Sequence, residues 1–304
     1  MKISVVMCTY NGEKYIEEQL RTILKQSRKP EEVILCDDCS TDKTAEIIRS
    51  FIRTYGLEND WHLYENPENM GWKRNFMETL RRSTGDLIFL ADQDDLWHPR
   101  KIERMSKVCE QHPEVSLLVC DCYPFDDVTG ERKKWFLPQL GKQDLMQIPI
   151  GRSFAESLRP GCTYALRGGM REYIDELWEE DCPHDLFFWC AALAQGSLYS
   201  YPKVLVKWRR AEGNATPRND KNRECRMEVL ERQYRVTKQM LAYKETLQIP
   251  EKNRIKMEQA LQVYRKRKDA IERGSLPELL ALLRYLPLYP RKRSWIGDVI
   301  AATK

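Results

Sequence analysis

Three acidic residues stand close together at the end of an apolar segment. Asp92, Asp94 and Asp95 follow residues 86–91, which have the composition of a buried strand. Such carboxylates repel one another unless a cation or a polar ligand occupies the cluster. Oxygen ligands without cysteine or histidine beside them suit Mg²⁺ or Mn²⁺, and these ions commonly take further oxygen atoms from substrate phosphates. The cluster therefore predicts a site for a divalent metal and a phosphate.

Two other apolar segments also end in polar residues that can bind a ligand. Thr9, Asn11 and Gly12 form a predicted strand-to-helix turn after the first of them. Backbone N–H groups at such a turn can donate hydrogen bonds to a ligand. Asp37 and Asp38 follow the second, and two adjacent aspartates exceed what capping of the next helix requires. A carboxylate here can accept hydrogen bonds from a base or from ribose hydroxyls.

The elements that must position these residues alternate between strands and helices. Predicted strands are residues 3–8, 32–36, 61–65, 86–91 and 115–121, and predicted amphipathic helices are residues 15–25, 43–55, 73–82 and 99–110. This alternation predicts an α/β fold with a mainly parallel sheet and helices on both faces. Residues 124–141 and 148–160 are interrupted by proline and glycine and are typical of loops or of a mixed-sheet region.

Four motifs in this order resemble those of glycosyltransferase family 2. They are Thr9-Tyr10-Asn11, then Asp37-Asp38 with Ser40 and Asp42, then Asn69-x-Gly71 with Asn75, and then Gly85-Asp86 leading to Asp92-x-Asp94-Asp95. The resemblance covers roughly residues 2–215. It implies the GT-A fold, an α/β nucleotide-binding sandwich with a mainly parallel central sheet.

The resemblance also implies which residues bind the donor. Residues expected to line the nucleoside and the substrate, or to lie close by, are Thr9, Tyr10, Asn11, Glu13, Asp37, Asp38, Gly71 and Asn75. Asp92 and Asp94 match the D-x-D element of the family, which holds the metal, Mg²⁺ or Mn²⁺, and the donor diphosphate. Asp95 is expected only to cap the approach to Trp97 and Pro99.

The second half of the resemblance concerns the acceptor. Cys162 and Thr163 fall in a segment that resembles the lining of the sugar and acceptor pocket. His184 and Asp185 resemble the histidine-aspartate form of the catalytic motif, which assigns Asp185 as the base and His184 as a substrate contact. Each residue has a structural alternative, because Asp185 is also a natural first-turn residue of a helix and His184 can simply pack and donate locally.

Residues 206–214 resemble the segment of the family that meets the diphosphate. Arg209 is expected to neutralise the leaving nucleotide. Trp208 stands where the family has tyrosine, and Ala211 and Glu212 occupy the region where histidine is common. A histidine contact to the metal or the diphosphate is therefore not expected here.

The resemblance implies inverting transfer of a hexose or deoxyhexose from a UDP- or dTDP-linked donor to a hydroxyl of a glycan or lipid-linked glycan. The histidine-aspartate form resembles rhamnosyltransferase-like members and implies assembly of cell-surface polysaccharide or O-antigen. A non-catalytic protein that binds nucleotide sugar, or a scaffold of an assembly complex, is the alternative. An oxidoreductase is excluded because the first turn lacks the G-x-G-x-x-G pattern of dinucleotide-binding folds.

The charge of the chain is divided unevenly along its length. Residues 201–304 carry a net charge of +13 and the residues before them −9, which together give +4. We expect a glycosyltransferase domain at residues 1–215, with a nucleotide-sugar half at 1–121 and an acceptor half at 122–215, followed by a basic helical extension at 216–304. Candidates for a buried stripe in the extension are Met227, Leu230, Tyr234, Leu241, Ile255, Leu261 and Tyr264.

The end of the extension combines features of a membrane-surface element. Residues 276–302 are rich in leucine, and the basic run Arg291-Lys292-Arg293 stands between Tyr289 and Trp295. This combination predicts peripheral contact with an anionic membrane. A helical hairpin that caps the main domain is the alternative, and nucleic acid is not an expected partner because no nucleic-acid-binding signature accompanies the charge.

The remaining features concern the compartment. The first residues are too short an apolar run for a signal peptide, and no apolar stretch is long enough to span a membrane. Ten scattered cysteines favour reduced thiols. These features predict a cytoplasmic protein, which the basic tail would hold at the inner face of the plasma membrane.

Overall fold

The computed structural model describes residues 1–131, 145–151, 154–180, 182–210, 223–289 and 294–303. The chain divides into two compact units. The first consists of Met1–Met146, Arg159–Asp185 and Leu198–Gly213, and the second of Gln147–Leu158, Leu186–Ser197 and Asn214–Lys304. Two short segments from the predicted acceptor half therefore group with the C-terminal helices.

The described strands form one mixed sheet. They are β1 (Ile3–Thr9), β2 (Glu32–Asp37), β3 (Trp61–Glu65), β4 (Leu87–Asp92), β5 (Leu96–Trp97), β6 (Leu117–Asp126), β7 (Met146–Gln147), β8 (Tyr164–Arg167) and β9 (Leu198–Arg210). Their order is β3-β2-β1-β4-β8-β6-β9-β5, and β7 pairs with β9. The first four strands in this order are mutually parallel, as are β6 and β9, whereas β8 and β5 run antiparallel to their neighbours. The predicted α/β fold with a mainly parallel sheet is confirmed.

Helices connect these strands, and the first four of them are amphipathic. The helices are α1 (Ile16–Leu24), α2 (Thr44–Tyr55), α3 (Trp72–Arg82), α4 (Lys101–Gln111), α5 (Tyr173–Leu177) and α6 (His184–Gln195). In α1, Ile16, Leu20 and Ile23 are buried at helical spacing. β1 is buried along its whole length, which is typical of a parallel strand covered on both faces. The burial of β1 explains why its sequence reads as an uninterrupted apolar run.

The sheet extends further than the sequence predicts. β6 continues past the predicted end at residue 121 to Asp126, through Pro124, and pairs in parallel with β9. β9 was not predicted, because Pro202 and several cations interrupt its apolar pattern. Its pairing with β6 brings Arg209 opposite Phe125.

The second unit ends in a group of helices, as predicted for the C-terminal extension. They are α7 (Arg223–Ala242), α8 (Glu251–Glu272), α9 (Leu276–Ala281), a 3₁₀ helix (Leu282–Leu288) and α10 (Ser294–Thr303). Their core includes Leu230 and Tyr264 from the predicted stripe. The prediction for Ile255 was wrong, since that side chain is 44% exposed. The basic run Arg291-Lys292-Arg293 and residues Ala211 and Glu212 lie outside the described residues.

A buried ion cluster ties these helices together. Asp298 of α10 is fully buried and accepts hydrogen bonds from Arg267 of α8 at 2.7 Å and from Arg226 of α7 at 2.7 Å. A buried carboxylate needs such donors to offset the loss of hydration. Among the helices that the structure describes, none is long and apolar enough to cross a membrane.

Candidate active site

The predicted polar turns meet at one edge of the sheet. The register pairs Thr9 of β1 with Asp37 of β2, and Cys8 of β1 with Asp92 of β4. The hydroxyl of Thr9 donates to Asp37 Oδ1 over 2.7 Å. The carboxyl ends of these parallel strands therefore place the threonine and both aspartates side by side, as the sequence predicts.

The turn after β1 is held by hydrogen bonds to the turn after β2. Asn11 adopts a left-handed conformation, with φ of 47°, and its Oδ1 accepts from the N–H of Thr41 over 2.9 Å. Glu13 accepts from the N–H of Lys43 over 3.0 Å. Tyr10 is 47% exposed, which leaves its ring available to stack on a base.

Gln93 fixes the main chain of Tyr10. Its side-chain amide accepts from the Tyr10 N–H over 2.9 Å and donates to the Tyr10 carbonyl over 3.0 Å. Gly12 makes room for this amide, since a Cβ at residue 12 would collide with Gln93 Oε1. The sequence analysis missed Gln93, although its place between Asp92 and Asp94 was the available signal.

The two adjacent aspartates are both buried and both bonded to the protein. Asp37 accepts from Thr9 and from the N–H of Ser40 over 2.8 Å. Asp38 accepts from the N–H groups of Met70 and Gly71, over 3.0 and 2.8 Å. Asp37 thus shapes the turn, whereas Asp38 orders the loop that leads into α3.

Of the predicted substrate contacts, Gly71 ends this loop and Asn75 lies in the first turn of α3. Gly71 has φ of 83°, a conformation that favours glycine. The buried Asn75 donates to the Cys36 carbonyl over 3.1 Å and accepts from Asn66 over 3.0 Å. Since Asn66 also donates to Asp38 over 2.9 Å, Asn75 lies behind the aspartate and supports it.

The acidic cluster at the end of β4 is electrostatically strained. Burial, and then the charges of Asp94 and Asp185, raise the pKa of Asp92 to about 7. Burial also raises the pKa of Asp94, against the opposing effects of Arg209 and Arg210. Three carboxylates that resist joint ionisation are the arrangement that a divalent cation relieves. The structure brings Asp185, from the start of α6, into the electrostatic range of the cluster.

Asp95 differs from its neighbours because no part of it is exposed. Its Oδ1 accepts from the main-chain N–H of Arg209 over 2.9 Å, and burial raises its pKa well above the usual value. The expectation that Asp95 caps the approach to Trp97 and Pro99 was wrong, because this carboxyl joins the turn after β4 to β9 instead. The predicted strand end did not reveal this role because β9 itself was not predicted.

A buried lysine lies against the cluster. Lys101, the first residue of α4, has no exposed surface and donates to the Cys162 carbonyl over 3.0 Å. Its ammonium lies 3.5 Å from the centre of the Trp97 ring, a cation–π contact. Burial lowers the pKa of Lys101 to about 8, while Asp95 and Asp92 oppose that shift. Sequence reasoning missed it, since a lysine at a helix start is normally exposed.

The ligand atoms of Asp92, Asp95 and Cys162 lie within 4.8 Å of one another. Burial raises the pKa of the Cys162 thiol well above its usual value, so the oxygen atoms are the better donors. Mutually repelling carboxylates fit a hard cation such as Mg²⁺ or Mn²⁺. The half-buried Asp92 and Asp94 offer these oxygens, whereas Asp95 is already bonded within the protein.

Arg209 is placed differently from the prediction. Its Nε donates to the Asp94 carbonyl, and its two terminal nitrogens donate to Asp127 and Glu18, each bond being 2.6 Å long. The guanidinium also lies over the ring of Tyr15, 4.6 Å from its centre. These partners direct Arg209 towards the protein, where it clamps the turn of the acidic cluster. Arg210, which partly offsets the raised pKa of Asp94, is the neighbouring cation that the prediction did not include.

His184 and Thr163 make local contacts. The buried His184 ring stacks on Phe76, with 3.9 Å between ring centres, and burial lowers its pKa to about 3. Neither ring nitrogen has a hydrogen-bond partner among the described residues. Thr163 donates to the Pro160 carbonyl over 2.7 Å and is fully buried. His184 therefore packs as a neutral ring, and Gly161 leaves space for it, since a Cβ there would lie 2.7 Å from His184 Nε2.

Comparisons with known proteins found a matching family model and similar proteins. Residues 4–178 match a protein-family model described as Glycosyl transferase family 2. The putative glycosyltransferase EpsE of Bacillus subtilis is 34% identical over 145 residues, which cover 48% of this chain and 51% of that protein. The dTDP-rhamnosyl transferase RfbG of Shigella flexneri is 26% identical over 231 residues, which cover 70% of this chain and 74% of that protein. This chain therefore spans only about half the length of EpsE.

A solved structure has a similar fold. Staphylococcus aureus TarS 1–349, in complex with UDP-GlcNAc, superposes with a TM-score of 0.62 at 18% identity, over 100% of this chain and 91% of that one. At this identity the likeness concerns the fold alone. It agrees with the GT-A arrangement that the motifs imply.

Proposed function

Because the chain belongs to glycosyltransferase family 2, we propose that it transfers a sugar from a nucleotide diphosphate donor to a hydroxyl group with inversion at the anomeric carbon. The observation that carries this proposal is the meeting of Asp92, Asp94 and Asp185 in one cluster, where burial and then the charges of Asp94 and Asp185 raise the pKa of Asp92 to about 7. A nucleotide-sugar site needs a cation for the diphosphate and a carboxylate for the acceptor. One cluster can supply both.

The proposed roles of these carboxylates differ. Asp92 and Asp94 would hold Mg²⁺ or Mn²⁺, which when bound neutralises charge on the donor diphosphate. Asp185 accepts the proton of the acceptor hydroxyl as its oxygen bonds to the anomeric carbon. The bond from that carbon to the diphosphate breaks, and the nucleoside diphosphate leaves with the electron pair.

The remaining predicted residues form the proposed donor pocket. Tyr10 stacks on the base, and the turn around Asn11 and Glu13 encloses the nucleoside. Asp38 positions the loop through Gly71 and keeps lone-pair capacity for a ribose hydroxyl. Arg209 supports the pocket indirectly, because it fixes the turn that carries the acidic cluster.

The proposed donor is a UDP- or dTDP-linked hexose or deoxyhexose. RfbG, named a dTDP-rhamnosyl transferase, supports the deoxyhexose, and TarS, solved with UDP-GlcNAc, supports the uridine nucleotide. The proposed acceptor is a glycan or lipid-linked glycan in cell-surface polysaccharide or O-antigen assembly. Since all ten cysteines are free thiols, we also propose a cytoplasmic location.

A screen of nucleotide sugars by thermal shift with Mn²⁺ identifies the donor, because a tight ligand stabilises the folded state by mass action. Release of nucleoside diphosphate then measures turnover. Asp185→Asn should lower turnover by roughly 10²- to 10⁴-fold and leave the donor-induced shift intact, because the base acts only in the chemical step. Asp175→Asn is the matched control, since that carboxylate is 75% exposed on α5.

The alternative function, a non-catalytic nucleotide-sugar binder or scaffold, makes a different prediction. Such a protein would bind the donor tightly, with no release of nucleoside diphosphate across a set of acceptors. Equal turnover in Asp185→Asn and the unchanged chain would contradict the assigned base. Absence of any nucleotide-sugar shift would contradict the function as a whole.

A further inference from the structure

The end of the second unit carries an exposed apolar face, defined by Leu276, Leu280, Leu283, Ile296 and Ile300. Each of these side chains is at least 38% exposed, and Leu280 reaches 56%. Two other large apolar side chains described in this unit are exposed, and neither lies in this segment. The exposure is therefore concentrated in α9, the following 3₁₀ helix and α10.

The face is the outer side of elements whose inner side is packed. Leu279 and Leu282 are buried in the core of the unit, whereas Leu276, Leu280 and Leu283 are spaced as one face of a helix. The indole of Trp295 in α10 donates to the Leu279 carbonyl over 2.7 Å, which ties the two helical segments together. Internal packing accounts for the buried leucines and leaves the exposed ones unexplained.

Cations predominate in the sequence of this segment. Residues 276–300 contain four cations and two acidic residues; Asp298 is buried against Arg226 and Arg267, and Glu278 lies 3.3 Å from Arg273. Two exposed cations flank a tyrosine here, since Arg284 lies 4.8 Å and Lys266 lies 5.4 Å from the centre of the Tyr285 ring.

We propose that the apolar face docks on an anionic lipid surface. Exposed leucine and isoleucine side chains would enter the acyl boundary while Arg284 and Lys266 meet the lipid phosphates. Charge complementarity selects this occupant, because a neutral apolar partner would gain nothing from the flanking cations. The proposal goes beyond glycosyl transfer and does not depend on it.

Sedimentation of the full chain with vesicles tests the proposal. Vesicles of phosphatidylcholine with phosphatidylglycerol at about a third of the lipid should bind the protein, and pure phosphatidylcholine should bind it at least about fivefold more weakly. The double substitution Leu280→Glu and Leu283→Glu should lower binding to the anionic vesicles by at least about tenfold, because it removes buried apolar area and adds negative charge.

Two further variants separate the two contributions. Arg284→Gln with Lys266→Gln should lower anionic binding by about tenfold and abolish the preference over phosphatidylcholine. Ile255→Glu is the matched control, since it makes the same kind of change at a side chain that is 44% exposed on α8. It should bind as the unchanged chain does, and equal melting temperatures would show that all variants fold.

Three results would overturn the proposal. The unchanged chain could remain in the supernatant with anionic vesicles. The double glutamate variant could bind as strongly as the Ile255→Glu control. Size exclusion could show a dimer that the glutamates dissociate, with no vesicle binding, which would identify a second copy of this chain as the occupant.

Discussion

The buried Lys101 gives the sharpest test of how the acidic cluster is stabilised. We consider Lys101→Met, which keeps most of the length of the side chain and removes its charge. Three groups contact or face the ammonium, namely the Cys162 carbonyl at 3.0 Å, the Trp97 ring at 3.5 Å and the carboxylates that oppose the fall of its pKa. The substitution therefore removes the cation that the fold supplies to Asp92 and Asp95.

The effect on stability should be small because two contributions oppose each other. Burial lowers the pKa of Lys101 from 10.5 to about 8, so holding the ammonium charged at neutral pH costs on the order of 3 kcal/mol. Methionine removes that cost, but it also removes a hydrogen bond and a cation–π contact that together contribute roughly 3 to 4 kcal/mol. We expect the free energy of unfolding at pH 7 to change by less than about 2 kcal/mol.

The pH dependence has a definite sign. Because the pKa is lower in the folded state, the unfolded chain binds more protons between pH 8 and 10.5, and stability from this residue rises across that window. The difference in unfolding free energy between the unchanged chain and Lys101→Met should therefore shift by about 3 kcal/mol over the window, in favour of the unchanged chain. Chemical denaturation at several pH values measures this difference.

The effect on metal binding should be larger. Without Lys101 the carboxylates lose an internal cation, so a divalent ion gains more by entering. We expect Mn²⁺ to bind Lys101→Met at least about tenfold more tightly once the carboxylates are ionised, and to raise its melting temperature by more than that of the unchanged chain. Titration followed by thermal shift near pH 7.5, above the pKa of Asp92 and below that of Lys101, gives both quantities.

The exposed Lys107 on the same helix provides the control, since Lys107→Met removes an equal charge at an exposed position. An equal or smaller gain from Mn²⁺ in Lys101→Met than in Lys107→Met would refute the reasoning. It would mean that Lys101 serves packing alone and that the cluster does not rely on its charge.

Three further predictions concern other parts of the site. In the unchanged chain, lowering the pH from 6.5 to 5 should lower the free energy of unfolding by about 2 kcal/mol through His184, because its folded pKa of about 3 lies below the unfolded one and the unfolded chain gains the proton first. His184→Gln should remove this loss, which urea denaturation at both pH values checks. Gly12→Ala should displace the Gln93 amide and weaken donor binding by about tenfold, which a thermal-shift titration measures. The free energy of unfolding should fall by only roughly 1 kcal/mol. Asp127→Asn should lower the free energy of unfolding at neutral pH by about 1 to 2 kcal/mol, because hydrogen bonds from Lys14, Tyr15 and Arg209 hold the pKa of that carboxyl well below its usual range; the loss should vanish in acid as the unchanged Asp127 also becomes protonated, which denaturation at low pH would test.

The parallel strands β1, β2 and β4 could be predicted from sequence because they are buried along almost their whole length. Residues 61–65 were predicted with the bounds that β3 has, and the predicted strand at residues 32–36 ends one residue short of β2. Apolar runs bounded by polar turns carry this information locally. β9 could not be predicted in the same way, because its cations and Pro202 are accommodated only by pairing with β6, which is distant in sequence.

The residue types of the site could be predicted, whereas their partners could not. The parallel register of β1 with β2 and β4 places Thr9, Asp37 and Asp92 together, and the apolar segments that end at these residues can be recognised in the sequence. The bonds that occupy Arg209 come from residues as far away in sequence as Glu18, so no local pattern reveals them. The burial of Lys101 depends on tertiary packing in the same way.

These long-range contacts divide the run Asp92-Gln93-Asp94-Asp95 by burial. Asp95 is wholly buried and bonds to the main chain of Arg209, and Gln93 bonds to the main chain of Tyr10. Asp92 and Asp94 remain half-buried, with pKa values raised by burial and by neighbouring charge. Since the fold already uses two members of the run to fix its position, the other two keep the unfavourable charge that only a cation or a proton can relieve. The strain within the cluster is therefore the reason to expect that metal, donor and proton binding are coupled at this site.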